Sequence, residues 1–370
     1  MVSLRGANKH AAWCSNYEFE DVICEVDDVD RLNLEPSYAY DARQWFARRL
    51  VWKPGLRRLT PYVNPGLKPI VLEREYDLFL FVCMNPADLI YLSAVKGWKQ
   101  RCRRKVCFMV EFYARWQEEY EFHLGLLQDF DHIALAFSGS VNAVRAATGR
   151  PCHHVPLAAD VFRFSPFPTA PARCIDVYSM GRRNATVHDA LLSAADRREI
   201  FYVYDTVPGL LVQPSDHRQH RNLVANCAKR SRFFVAYPAK VDVAEETRGQ
   251  SEVGARFYEG ASAGAVLLGQ APTVPAFSNE FDWNKAVVDV PPTAEGVLAV
   301  LDTFSADPTL AKRLGRRNAL EAAKRFDWSH RWREILEIAG LEPASQLAER
   351  ATRLNALAES AKMGMDLEFN

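Results

Sequence analysis

The sequence predicts an α/β fold with two doubly wound parallel sheets, and three observations carry that prediction. Short apolar runs alternate with helix-length segments through most of the 370 residues, which is the pattern of repeated βαβ units. A proline-rich stretch, Ser165-Pro166-Phe167-Pro168-Thr169-Ala170-Pro171, interrupts the alternation, which then restarts. The length favours two domains, and a 48% hydrophobic content supplies a core for each.

In the first half, Ser15-Asn16-Tyr17 reads as a loop after a short first strand, and Asp21 to Val26 as a strand. Asp27, Asp28 and Asp30 have the chemistry of metal ligands, but acids beside a strand more often serve as turns and caps. Residues 41–59 are basic and aromatic and predict a helix that stops before Pro54. Asp77 to Cys83 is a buried strand, followed by an Asn85-Pro86 turn and a helix from Ala87. Val106 to Val110 is a strand that leaves Glu111 at its C-terminal end, where ligands collect in open α/β sheets. His132 to Phe137 is another strand, and the small-residue turn Ser138-Gly139-Ser140 leads into a helix from Val141.

The second half opens with a strand, Ile175 to Met180, running into Gly181-Arg182-Arg183-Asn184, and His188 lies in the helix after it. Two arginines straight after a strand end can clamp a diphosphate. Ile200 to Tyr204 and Phe233 to Ala236 are strands flanking a helix that begins at His217, and Lys240 follows the second of them. His217 and His220 are three apart, as metal ligands can be, but the polar first turn of a helix explains them better. Gln250 to Gln270 then reads as turn, helix, glycine stop and buried strand. Gly264 stands where a helix takes a left-handed residue, and Ala265 to Leu268 is wholly apolar. Such a unit points free backbone N–H groups, from Gly254 onward, toward a phosphate. A strand at Ala286 to Asp289 and helices over about 293–305, 307–325, 330–338 and 343–362 complete the chain.

Lys plus Arg and Asp plus Glu balance at 46 each, so no global field argues for a nucleic-acid partner. The eight cysteines show no C-x-x-C pair or metal spacing, and no apolar run approaches membrane-spanning length. A cytoplasmic protein with reduced thiols is expected.

Arg256 to Ala265, RFYEGASAGA, resembles the R-x-x-E-x-x-A-x-G segment of group 1 glycosyltransferases, nearest the branch of spore-protein-like glycosyltransferases. His153 to Asp160 is similar to the strand and turn that end the first domain in that family, and the likeness extends over about residues 130–340. The resemblance implies the GT-B fold: two Rossmann-like domains facing across a cleft, with C-terminal helices crossing back. The segments would be 1–165 on the acceptor side, 172–325 for the nucleotide sugar, and 326–370 returning to the first domain.

It also implies a transferase, hexosyltransferase in type, that moves a sugar from a nucleotide-diphosphate donor. No cofactor and no metal is needed in that scheme. The glutamate matching Glu259 holds the ribose in the family, with Arg256 and Gly254 beside it. A second glutamate eight residues earlier contacts the donor sugar; here that position is Ser251, and Glu252 is one residue out of register. Gly181, Arg183 and His188 complete the donor set, Arg182 and Lys240 would stabilise the leaving diphosphate, and Glu111 is the acceptor-side acid or base. A nucleotide-sugar epimerase of the same architecture and a catalytically inactive sugar- or nucleotide-binding protein remain open.

One feature stands outside that scheme. Arg43, Arg48, Arg49, Arg57 and Arg58 surround Trp45, Phe46 and Trp52, and Arg101, Arg103, Arg104 and Lys105 follow Trp98. The usual reading is a solvated basic face whose aromatics lie in the core. The other is a docking face for an anionic or lipid-linked acceptor, with peripheral contact at the inner membrane face.

Overall fold

The computed structural model describes residues 1–53, 55–206 and 212–366. It holds two compact units. The first comprises residues 1–9, 23–156 and 331–344, and the second residues 10–22, 157–330 and 345–370. These units divide the chain differently from the linear segments 1–165, 172–325 and 326–370.

The first unit is built on a parallel sheet in the order β2-β1-β4-β6-β7-β8. Its strands are β1 (Val2–Ser3), β2 (Leu32–Asn33), β4 (Tyr76–Cys83), β6 (Cys102–Met109), β7 (His132–Leu135) and β8 (Cys152–His154). A separate short pair joins β3 (Ile70–Val71) to β5 (Val95–Lys96). In β4 and β6 the residues from Leu80 to Cys83 and from Val106 to Met109 are all buried, because a parallel sheet covered on both faces offers no solvated side. The central register pairs Leu80 with Val106 and Cys83 with Met109. Trp98 is part of this core, stacked on Phe79 at 4.7 Å and tilted against Phe130 at 5.1 Å.

The second unit repeats the plan. Strands β9 (Ile175–Ser179), β10 (Tyr202–Tyr204), β11 (Ser231–Ala236), β12 (Val266–Gly269) and β13 (Val287–Asp289) are parallel, in the order β10-β9-β11-β12-β13. Taken in chain order that is 2-1-3-4-5, a doubly wound arrangement whose direction of winding switches between β9 and β11. Val177, Phe233, Val235, Val266 and Leu268 from the sheet pack with Leu191, Val297 and Phe304 from its covering helices.

The helix Ala255–Ser262 ends as expected. Gly264 takes φ 62°, the Gly264 N–H reaches the Ala261 carbonyl at 2.9 Å, and the Ala265 N–H reaches that of Gly260 at 3.1 Å. That is a complete Schellman stop.

Two local expectations fail. Asp21 to Val26 is not a strand, and Ser15 to Tyr17 is not a loop; both lie in one helix, Cys14–Val26. Phe19, Val22, Ile23 and Val26 are buried at helical spacing, so a 3.6-residue period was present in what reads as a short apolar run. The segment after Asn85 is a 3₁₀ helix, Pro86–Ala94, started by a capping box between Asn85 and Asp88. The basic segment forms the helix Tyr40–Leu50 and a 3₁₀ helix, Arg57–Tyr62. The four C-terminal helices span Ala294–Ala306, Pro308–Arg325, Trp328–Ala339 and Ser345–Asp366. Among the described residues no helix is long and apolar enough to cross a membrane.

Candidate active site

The switch point between β9 and β11 is where a doubly wound sheet opens a crevice beyond its strand ends, and most of the expected donor residues collect there. Gly181 follows β9, and its N–H donates to Asp205 Oδ2 at 2.6 Å. The Arg256 guanidinium lies against Gly181, where an added Cβ would stand 2.8 Å from Nη2. Arg256 Nη1 donates to the Arg182 carbonyl at 2.7 Å, so the first turn of the helix Ala255–Ser262 is tied to the loop after β9. From the other side, Gly254 abuts Ala239 in the loop after β11, and the Ala239 N–H donates to the Glu252 carbonyl at 3.0 Å. The helix N-terminus is thereby fixed between the two loops that flank the switch point. Burial is the main influence on Arg256 and draws its pKa below the usual arginine value.

The cations expected at this edge already have carboxylate partners. Arg182 Nη1 bonds both oxygens of Asp242, at 3.2 and 3.0 Å. Lys240 Nζ meets Glu246 Oε2 at 2.8 Å. Lys240 also holds φ 57°, a left-handed backbone rare for a side chain with a Cβ and frequent at functional loops. Arg183 and His188 form a second group at the end of β10. The Arg183 guanidinium lies 5.4 Å over the Tyr204 ring, and His188 Nδ1 is 2.9 Å from the Tyr202 hydroxyl. Burial, with Arg183 nearby, lowers the His188 pKa. Ser251 accepts from the Thr273 N–H at 3.2 Å, while the buried Glu252 carboxylate accepts from Gln250 at 2.7 Å.

Glu259 is held differently from the expectation of an acid waiting for hydroxyls. It is buried, and its Oε1 accepts from Arg221 Nη1 at 2.5 Å. Arg221 is buried too, and its Nε and Nη2 reach Glu18 at 2.9 and 3.1 Å. Burial works against the arginine's charge, but the two carboxylates outweigh it and raise the Arg221 pKa. Burial would likewise raise Glu18, and Arg221 more than reverses it, so the Glu18 pKa is lowered.

Glu111 belongs to the first unit. It follows β6, and its N–H donates to the Met84 carbonyl beyond β4 at 2.7 Å. It thus stands at the C-terminal edge of the first sheet, one strand from that sheet's own switch point between β1 and β4.

Sequence reasoning missed Asp205, Asp242, Arg221 and Glu18. Two of them left a signal. Asp205 comes straight after β10, at the same kind of strand end that singled out Glu111. Arg221 lies on the buried stripe of its helix, with Val224, Ala225 and Ala228 at i+3, i+4 and i+7, and an arginine on an apolar stripe has to find carboxylates. Asp30, noted for metal chemistry, accepts from the Tyr76 hydroxyl at 2.7 Å, and His217 Nε2 meets Asp21 at 2.9 Å. Among the described residues no group of three or more His, Cys, Asp or Glu is placed to hold a metal ion.

Residues 189–337 match the family model described as "Glycosyl transferase-like". No curated protein matches the chain in sequence. Solved structures similar in fold include the following three. HepE of Anabaena in complex with UDP and glucose has a TM-score of 0.50 at 12% identity, covering 92% of this chain and 98% of that one. An α-glucosyltransferase in complex with UDP and a 13-mer DNA containing an HMU base has a TM-score of 0.54 at 10% identity, covering 92% and 98%. The trehalose-6-phosphate synthase OtsA also has a TM-score of 0.54 at 10% identity, covering 92% and 99%.

Proposed function

From a GT-B fold and a glycosyltransferase family match over residues 189–337, which bear out the resemblance to group 1 glycosyltransferases, we propose that this chain is a transferase. It moves a hexosyl group from a nucleoside diphosphate sugar to an acceptor. The observation that carries the reading is the helix Ala255–Ser262, whose N-terminus is pinned between Gly181 and Ala239 at the switch point of the second sheet. Backbone N–H groups there, with Arg182, Arg183, Arg256 and Lys240 close by, suit a diphosphate that gains charge as the glycosidic bond breaks. In this proposal Asp242 and Glu246 hold Arg182 and Lys240 in place and yield them to the diphosphate, so no metal is required.

Glu259 accepts a ribose hydroxyl through the carboxylate oxygen not given to Arg221, and Ser251, Glu252 and His188 face the sugar. Glu111 handles the acceptor proton. The complexes of HepE with UDP and glucose and with UDP-glucose make uridine diphosphate sugars the first donors to try. Calorimetry with UDP, UDP-glucose and their guanosine counterparts tests donor binding, and nucleotide release with and without candidate acceptors tests transfer. Release that depends on acceptor supports a transferase. Interconversion of the sugar on the nucleotide would make it an epimerase, and binding without turnover an inactive binding protein. Activity lost to chelator and restored by magnesium or manganese would overturn the metal-free account.

A further inference from the structure

We propose that the face formed by the helix Tyr40–Leu50 and the 3₁₀ helix Arg57–Tyr62 docks the first unit on an anionic bilayer. The expectation that these aromatics belong to the core fails for three of the four tryptophan and phenylalanine rings concerned. Trp98 is buried, but Trp45 is 57% exposed and Phe46 and Trp52 are each 52% exposed. Leu56, Leu59 and Tyr62 follow at 50%, 51% and 80%. Six of the eleven large hydrophobics exposed among the described residues therefore fall within residues 45–62. Single exposed apolar side chains are ordinary, but a run of them on one face marks an interaction surface.

The segment is fastened by a small apolar seam and by a few polar side chains turned inward. Ala47 and Leu50 are buried beneath the helix, and Thr60 beneath the 3₁₀ turn. Gln44 Nε2 and Arg48 Nη2 donate to the buried Tyr91 hydroxyl at 2.5 and 3.2 Å. Ser93 Oγ donates to the Val63 carbonyl at 3.0 Å, holding the far end. With those groups committed to the body of the unit, the Trp45 and Phe46 rings stand outside, and Trp52 covers Tyr120 and His123 with one face while staying half exposed.

Charge identifies the occupant. Arg43, Arg49, Lys53, Arg57 and Arg58 lie between residues 42 and 62, a span with no Asp or Glu, whereas Arg48 is turned inward to Tyr91 and Lys68 is paired with Glu35 at 2.8 Å. The Arg49 guanidinium rests 4.0 Å over the Trp45 ring, and that of Arg57 5.7 Å over Phe122. Cations laid on and beside aromatic rings meet a surface that is anionic at its rim and apolar just below, as at the headgroup boundary of an anionic bilayer.

Co-sedimentation of the full chain with vesicles tests this, using phosphatidylcholine alone and phosphatidylcholine mixed with phosphatidylglycerol. Binding to the anionic vesicles only, weakening as salt is raised, is expected. Trp45→Ser/Phe46→Ser and Arg49→Gln/Arg58→Gln should each lower the bound fraction about tenfold while the melting temperature stays that of the parent. Absence of binding to anionic vesicles at low salt overturns the proposal. Binding that the aromatic pair does not alter overturns it as well, since that is a purely electrostatic face. So does duplex DNA displacing the vesicles with full retention in the aromatic variant, which would make the face a nucleic-acid surface.

Discussion

At the scale of single residues, the two roles of Glu259 decide how its variants behave. Arg221 is shared between Glu259 and Glu18, and all three are buried, so removing the arginine takes the ion pair from Glu259 and leaves Glu18 only the longer contact with Arg163 at 3.5 Å as counter-charge. Arg221→Met should cost about 3–5 kcal/mol of stability, the scale for breaking a buried pair from one side. Glu259→Gln keeps an acceptor for Arg221 and leaves Glu18 as its counter-charge. Its stability loss should be smaller, while donor affinity falls about tenfold with the loss of a charged acceptor for a hydroxyl. Calorimetry of the Gln variant with UDP-glucose, beside its melting curve, separates the roles. Unchanged affinity in a destabilised protein would leave Glu259 as a packing residue alone.

His123 gives the residue scale a pH dependence. It is buried against Trp52 and Tyr120, with ring centroids 5.7 and 5.1 Å away, and burial lowers its pKa to about 4. The unfolded value is near 6.5, so the native state favours the neutral imidazole. That contribution is complete above about pH 6.5 and is lost as pH falls toward 4, for a total on the order of 3 kcal/mol. Asp88 works the other way, since burial raises its pKa to about 6 and its contribution is lost as pH rises through that value. The clean measurement is the stability difference between the parent and His123→Phe across pH 4 to 7. It should move in favour of the variant on acidification, and a difference that does not vary with pH refutes the assignment.

At the scale of elements, what was legible followed from local chemistry. The helix, left-handed stop and strand of residues 255–269 were all readable, because a glycine stop and an apolar run are short-range signals. The Cys14–Val26 helix was not, because Asp21 to Val26 alone is too short a window to show its period. Nor does spacing reveal how closely an element approaches its neighbours. Gly260, on the helix Ala255–Ser262, has no room for a side chain: an added Cβ would stand 2.5 Å from Leu267 Cδ2 and 2.8 Å from Phe234 Cδ1. Gly260→Ala gains up to about 1 kcal/mol of helix propensity but overpacks β11 and β12 at a cost of about 1–3 kcal/mol. A net loss of stability is expected in chemical denaturation, together with weaker donor binding if the helix N-terminus is displaced. An Ala variant as stable as the parent would show that the helix can retreat from the sheet.

At the scale of the whole molecule, alternation and the proline-rich break predicted two doubly wound sheets, because each βαβ unit is contiguous. Which distant segments complete each unit was not legible, since that depends on pairings hundreds of residues apart. The second unit takes in residues 10–22 and 345–366, and buried charge is part of the reason. Arg350, on the helix Ser345–Asp366, donates to Asp327 at 2.8 and 2.9 Å and to Asp160 at 2.8 Å. Burial would raise the Asp327 pKa, but Arg350 outweighs it and lowers it. Asp327 also accepts from the N–H groups of Val161 and Ser329, both at 3.0 Å, so this one cluster draws together residues near 160, 327 and 350. Around it Leu354, Leu357 and Ala361 pack with Val161, Leu320 and Ala323. Arg350→Met should therefore cost about 3–5 kcal/mol, because it leaves the buried Asp327 without its counter-charge and Asp160 with only Arg163 at 3.5 Å. Asp327→Asn in the same chain removes one of those charges and still offers an acceptor to Val161 or Ser329. The double variant should then be more stable than the sum of the two single losses by about 1–3 kcal/mol, as expected of coupled neighbours. Equilibrium unfolding of the four proteins in the cycle measures that coupling directly. Strict additivity would mean that Arg350 and Asp327 act independently, so that their ion pair does not tie the C-terminal helix to residue 327.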